Sequence, residues 1–224
     1  MKLGDLVELR YIETINSLKP KKGVIVGFTG PMFSGKTTEL IRMYERYVIG
    51  NKKSLMLKPA LDKRYGESYV STHIGHKVKA YAVEDSKQLY ELIDKFKENP
   101  VEVSYNHHSI NLTGRLKGVF IDEIQFFDSG IIDVIQKFND DGIDVYWSGL
   151  NQDSRGKPFM FKDGKEHIGY LMAISDELYV LSAVCCVCGE KATKSYRKVN
   201  SEQLIDVGGA DKYDARCKDH WIPK

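Results

Sequence analysis

Gly30-Pro31-Met32-Phe33-Ser34-Gly35-Lys36-Thr37 is the stretch that decides the fold of this 224-residue chain. It matches G-x-x-x-x-G-K-[ST], a pattern that requires a strand before it and a helix after it. Both are predicted. Residues 24–26 and Phe28 form a short β-rich run, and Leu40, Ile41, Tyr44 and Val48 recur at helical spacing. In such a loop glycines let backbone N–H groups turn inward around phosphate oxygens, and the helix adds its positive end. Lys36 is then placed to reach the β- and γ-phosphates, and the Thr37 hydroxyl to bind Mg²⁺. The segment predicts a nucleotide-binding protein.

The same alternation continues outward. Residues 55–57 read as a strand ending at Lys58-Pro59, and residues 84–98 as an amphipathic helix with Leu89, Leu92, Ile93 and Phe96 on one face. Strands are expected at 119–121, 143–147 and 178–184, and helices at 131–138 and 165–175. Strands alternating with helices predict an α/β fold with a mainly parallel sheet. The stretch 101–116, with Asn106-His107-His108, is expected to be a solvated loop. After residue 184 the composition shifts to short polar strands, Gly-Gly and Cys. The expected division is an extension over 1–22, a P-loop α/β domain over 23–182 and a small lobe over 183–224.

Charge narrows the function. Lys+Arg number 33 and Asp+Glu 31, a net of +2, with 42% apolar and 29% charged residues. That balance suits a globular protein with a core and argues against one that coats nucleic acid or an anionic membrane. Apolar runs fall short of the ~18 residues of a membrane span. The start, MKLGDLVELR, lacks an apolar leader, so a cytoplasmic location is expected.

Val119-Phe120-Ile121-Asp122-Glu123 puts two acids at the C-terminal end of a buried strand, the edge where ligand sites gather in open parallel sheets. The P-loop belongs to the same edge. Asp122 is the candidate Mg²⁺ ligand, and Glu123, one residue on, points elsewhere as a candidate general base. Two reactions fit: activation of water, as in an ATPase or motor, or proton removal from a substrate hydroxyl, as in a kinase.

All four cysteines, Cys185, Cys186, Cys188 and Cys217, lie in the last quarter. Cys185-x-x-Cys188 followed by Gly189, with Cys217-x-x-His220 downstream, supplies Cys₃His for a structural zinc, leaving Cys186 spare. Such a site would staple the ends of residues 189–216 into a long loop, as a lobe too small for its own core requires. That loop carries Gly208-Gly209-Ala210-Asp211-Lys212-Tyr213, in which Gly-Gly allows close backbone approach and Tyr213 offers a flat face and a hydroxyl. A zinc-ribbon interaction module is the third reading. Residues 183–224 carry eight Lys/Arg and six Asp/Glu, too balanced to grip a phosphate backbone.

Three segments together resemble one family. Residues 30–42, Asp122-Glu123-Ile124-Gln125-Phe126-Phe127 and Gly208-Gly209-Ala210-Asp211-Lys212-Tyr213 look like the corresponding motifs of the zinc-containing, cellular and bacterial type of thymidine kinase, in order, from about residue 23 to 221. The resemblance implies a RecA-like domain and transfer of the γ-phosphoryl of ATP to the 5′-hydroxyl of thymidine with Mg²⁺. It also implies a lasso loop that binds the base through main-chain groups, and a homotetramer inhibited by thymidine triphosphate. By the same resemblance Glu123, Lys36 and Arg64 are catalytic. Gly30, Pro31, Met32, Phe33, Ser34, Gly35, Lys36, Thr37 and Thr38 hold ATP phosphates, and Thr37 and Asp122 hold Mg²⁺. Met32, Asp62, Gln125, Phe126, Leu150, Ser154, Ser195, Asp206, Val207, Gly208, Gly209 and Tyr213 meet the nucleoside, and no nucleic-acid or membrane partner is implied. Ser154 departs from the family, standing where an aromatic residue often stacks on the base, and Ser195 stands where Thr is frequent.

Overall fold

The computed structural model describes residues 21–62, 64, 66, 68–72, 75–105, 108–198 and 208–223. The expected extension therefore lies outside the described residues up to 20, as do Asn106, His107, Asp206 and Val207. The central sheet has six strands in the order β10-β1-β9-β8-β2-β5. These are β1 (Ile25–Thr29), β2 (Ser54–Pro59), β5 (Tyr81–Val83), β8 (Gly118–Ile121), β9 (Asp144–Gly149) and β10 (Glu177–Val180). Every pairing among them is parallel. The sequence of β1, β2 and β8 explains their place. Each is a near-continuous apolar run buried at every residue, as strands covered on both faces must be.

Helix α1 (Lys36–Ile49) starts directly from the glycine loop and buries Leu40, Ile41, Tyr44, Tyr47 and Val48. Tyr44 and Tyr47 meet Phe120 of β8 edge-on at centroid distances of 5.3 and 5.2 Å, and Phe120 stacks on Tyr146 of β9 at 4.8 Å. Such pairs add about 0.5–1.5 kcal/mol each beyond area burial. Helix α2 (Ser86–Glu98) is capped by Asp85, which accepts from Gln88 N at 2.7 Å, and turns Leu89 and Ile93 into the core. Helix α3 (Ile131–Asp140) buries Ile131, Ile132, Ile135 and Phe138, and Tyr90 of α2 stacks on Phe138.

Residues 101–116 depart from expectation. They fold as an antiparallel hairpin, β6 (Val101–Tyr105) with β7 (His108–Leu112). Val101, Val103 and Leu112 alternate onto a buried face, so the period-2 pattern outweighs the polar turn. The hairpin β3 (Tyr69–Ser71) with β4 (Lys77–Lys79) is its neighbour, and Lys79 pairs with Glu102 at 3.2 Å. The helix expected over 165–175 is confined to α4 (Gly169–Ile174), because a bridge between Met160 and His167 occupies the chain before it. The strand expected over 178–184 divides. Leu181 N still bonds Thr29 O at 2.7 Å, but β11 (Ala183–Val184) turns away to pair with β12 (Lys191–Ala192). The last hairpin joins β13 (Lys194–Arg197) and β14 (Tyr213–Arg216).

The sheet tolerates little change at Gly27 of β1. A Cβ there would stand 2.3 Å from Cζ2 of Trp147, which is fully buried in β9. Gly27→Ala is expected to cost about 1–3 kcal/mol of stability through overpacking. A urea midpoint followed by Trp147 fluorescence measures it, and an unchanged midpoint would contradict the packing described.

Candidate active site

The loop after β1 owes its path to two glycines with positive φ. Gly30 has φ 145°, and a Cβ there would lie 2.4 Å from Leu181 O. Gly35 has φ 83° and caps α1. Lys36 is buried and its Nζ donates to Pro31 O at 2.6 Å, reaching across the loop. Burial lowers its pKa to about 8 against the opposing pull of Glu123 and Asp122.

Asp122 follows β8, where its N donates to Leu57 O at 2.9 Å. Its carboxylate accepts from Thr37 Oγ1, 3.2 Å from each oxygen, and from Ser148 Oγ of β9. Burial, reinforced by the charge of Glu123, raises its pKa to about 6. A buried carboxylate with the hydroxyls of Thr37 and Ser148 beside it offers oxygen ligands of the kind a hard divalent cation takes.

Glu123 has a left-handed backbone, φ 49° and ψ 44°, unusual for a residue with a side chain. The turn ends the strand and starts a 3-10 turn, Ile124–Phe126. It aims the carboxylate at Arg64, whose Nη2 donates to Glu123 Oε1. Arg64 is itself forked onto Asp62, Nε to Oδ1 at 2.7 Å and Nη2 to Oδ2 at 2.9 Å. Lys58 at the end of β2 donates to Asp62 O at 2.9 Å and to Gly66 O, tying the segment that carries both residues to the sheet. Burial pushes the pKa of Glu123 up, but Arg64 and then Lys36 outweigh it, and the group is held below the usual carboxylate range.

Beside Glu123 opens a pocket in the surface of the site. Of the residues expected to meet a nucleoside, Met32, Phe126, Leu150, Ser154, Ser195, Gly208 and Tyr213 line it, together with Arg64 and Glu123. Asp62 stands behind Arg64, Gly209 lies in the turn that leads to Tyr213, and Gln125 is fully buried behind the wall. Gln152, Asp153, Phe159 and Arg197 also line the cavity and were not singled out from sequence. Asp153 had a readable signal, since Asp-Ser-Arg-Gly is turn chemistry. Its Oδ1 accepts from Arg155 N and Lys157 N, both at 2.9 Å. Phe126 and Phe159 meet edge-on at 6.1 Å on the aromatic side of the cavity.

The C-terminal hairpins close this cavity from the far side. Ser195 Oγ accepts from Met32 N at 3.0 Å, Lys194 Nζ donates to Gln152 Oε1 at 2.7 Å, and the Arg197 guanidinium lies 5.7 Å from the Tyr213 ring centre. Cys185, Cys188, Cys217 and His220 anchor the hairpins at their base. Their ligand atoms lie within 4.8 Å of one another. The Cys188–Cys217 sulfur separation is 3.8 Å, the edge of a tetrahedron with metal–sulfur bonds of about 2.3 Å, and Cys217 Sγ is 3.2 Å from His220 Nδ1. Gly189, with φ 79°, makes the turn after the first pair, while Cys186 is exposed and outside the set. The donor set fits zinc.

A phosphate loop opening α1, an acid pair at the end of β8, separated from β1 by β9 in the parallel sheet, and an adjoining pocket define a P-loop α/β protein. The family is narrower than that class. A sequence model of the thymidine kinase family matches residues 23–221, and the chain belongs to that family. Curated relatives named thymidine kinase agree along nearly their whole length. That of Pseudothermotoga lettingae is 37% identical over 198 residues, 88% of this chain and 94% of its own. That of Thermococcus kodakarensis is 36% identical over 206 residues, 89% and 94%, and that of Pyrobaculum aerophilum 37% over 205 residues, 89% and 98%.

Protein purified without chelator is expected to carry one zinc per chain by metal analysis. Stripping it, or making Cys188→Ser, is expected to loosen the β13–β14 hairpin and raise its protease sensitivity before the sheet unfolds. A metal-free preparation with the same hairpin protection would remove the zinc from the account.

Proposed function

We propose that this chain transfers the γ-phosphoryl of ATP to the 5′-hydroxyl of thymidine, giving the monophosphate, with Glu123 as general base. One observation carries the choice of a hydroxyl over water as acceptor. Glu123 forms part of the wall of a pocket lined by Met32, Phe126, Leu150 and Phe159, and it stands beside Asp122 and Lys36 of the phosphate site. A base facing an enclosed organic ligand and a phosphate site is arranged for transfer between them, and walls that exclude water suppress hydrolysis.

A primary hydroxyl is a weak nucleophile, so its proton must leave as the new bond forms. Glu123, held ionised, takes it. The loop N–H groups and Lys36 position the triphosphate. Arg64 touches Glu123 in the resting site and lies within reach of the charge that develops on the transferred group. Magnesium, held by Thr37 and Asp122, would neutralise charge on the phosphate oxygens. Met32, Phe126 and Phe159 enclose the base, and the backbone around Gly208 and Tyr213 reads its edge, with residues 206 and 207 included by resemblance. Ser154 leaves one side of that enclosure without an aromatic face, and deoxyuridine is the second substrate of the proposal. The remaining parts of the proposal are an α/β domain over 23–182, a zinc lobe over 183–224, a homotetramer and a cytoplasmic location. The exposed edge strand β10, with Tyr179 and Val180 uncovered, supports an assembly, and cysteines gathered as reduced metal ligands suit a reducing compartment.

Incubation with ATP, Mg²⁺ and single nucleosides is expected to yield a thymidine-dependent 5′-monophosphate. Brisk ATP hydrolysis with no nucleoside product would replace the kinase by an ATPase. Glu123→Gln is expected to keep ATP binding and to lower kcat by about 10²–10⁴-fold. Ser154→Phe is expected to tighten thymidine by about 2–10-fold, the range of one aromatic contact. A KM that stays put or rises would show that the open side does not face the base.

A further inference from the structure

Gln125 lies at the centre of the site and touches none of the cavity. It is 0% exposed. Its Nε2 donates to Glu123 Oε2 at 2.5 Å, and its Oε1 accepts from Leu150 N at 3.1 Å. The two partners fix the amide the same way round. Turned over, the amide oxygen would face a carboxylate and the NH₂ would face an N–H, leaving both buried groups unsatisfied. The neighbouring backbone is shaped to admit it, since a Cβ on Gly149 would stand 2.8 Å from Gln125 Oε1.

We infer that Gln125 is the positioning residue of the proposed base: it holds one oxygen of Glu123 and leaves the other to meet the acceptor hydroxyl. This rests on the reading of Glu123 as base. The two carboxylate oxygens are held by different kinds of group. Oε1 is met by Arg64, a long side chain on the segment between β2 and β3, which a phosphate can draw away. Oε2 is met by an amide packed beneath the site, whose other end is clamped to the backbone just after β9. When Arg64 turns to a phosphate, Gln125 keeps the carboxylate from swinging with it. Leu150 lines the nucleoside cavity, so the same amide sets the base and the cavity wall in one register. A displacement of about 1 Å at such a point costs on the order of 100-fold in rate.

The test is a double-mutant cycle with an independent spectroscopic reading. Gln125→Leu is expected to lower kcat by roughly 10–100-fold while the KM for thymidine changes less than about threefold. Adding it to Glu123→Gln is expected to cost nothing further, because it acts through the group already removed. Effects that multiply in the double variant, or a rise in KM with kcat kept, would overturn the inference and make Gln125 a substrate contact. Should Gln125→Leu fail to fold, the wild-type chain still decides. Its Gln125 side-chain amide is expected to show a strongly downfield, exchange-protected proton that moves in Glu123→Gln, and an ordinary exchanging amide would overturn the positioning. A wild type with the protected amide and no thymidine product would count against the proposed function alone.

Discussion

Burying the Asp122–Glu123 pair at the end of β8 is the constraint around which the cleft is built. Two adjacent carboxylates out of water repel each other and lose hydration, so each must be supplied with donors. The chain answers from four directions. Thr37 comes from the start of α1, Ser148 from β9, Arg64 from the segment after β2, and Gln125 from the 3-10 turn. The parallel order β1-β9-β8-β2 brings these contributors together, because it places the C-terminal ends of four neighbouring strands side by side. The pair then separates chemically. Asp122, with hydroxyl donors only, is pushed toward neutrality, while Glu123, facing Arg64 and Lys36, stays charged. A cation beside Asp122 would restore its charge, whereas Glu123 is kept ionised by its own neighbours.

The zinc set performs a mechanical task at a distance. The pieces it joins are short strands with a small cluster of Ala183, Cys185, Ala192, Ala215 and Cys217. That much apolar surface does not hold a lobe together alone. Gathering Cys185, Cys188, Cys217 and His220 at the base leaves β13 and β14 free to present Ser195, Arg197 and Tyr213 to the cavity. Ser195 completes the junction by accepting from Met32 N, so the last hairpin is bonded to the phosphate loop.

Sequence reading succeeded where chemistry is local. The P-loop, the α1 face with Leu40, Ile41, Tyr44 and Val48, and the spacing of Cys185, Cys188, Cys217 and His220 are short-range patterns, and each has few physical outcomes. The pairing within 101–112 was not legible, because the polar Asn106-His107-His108 interrupts the alternation of Val101 and Val103 against Ile110 and Leu112. The reading overran at 165–175 and 178–184, because element ends depend on partners far along the chain. Leu181 bonding Thr29 and Met160 bridging His167 have no local sign.

By itself the sequence determined the phosphate loop, the acid pair, the Cys/His set and the family to which the chain belongs, because those properties reside in residue types at fixed spacings. Tertiary structure alone decided that Gln125 sits beneath the cavity, bonded to Glu123 and Leu150. It alone brought Gln152, Asp153, Phe159 and Arg197 into the cavity wall. Those contacts join the 3-10 turn, the chain after β9 and the last hairpin, elements that meet only once the parallel sheet has formed. A residue's type says which bonds it is able to make, and the fold chooses among them by pairing nearly every buried donor and acceptor.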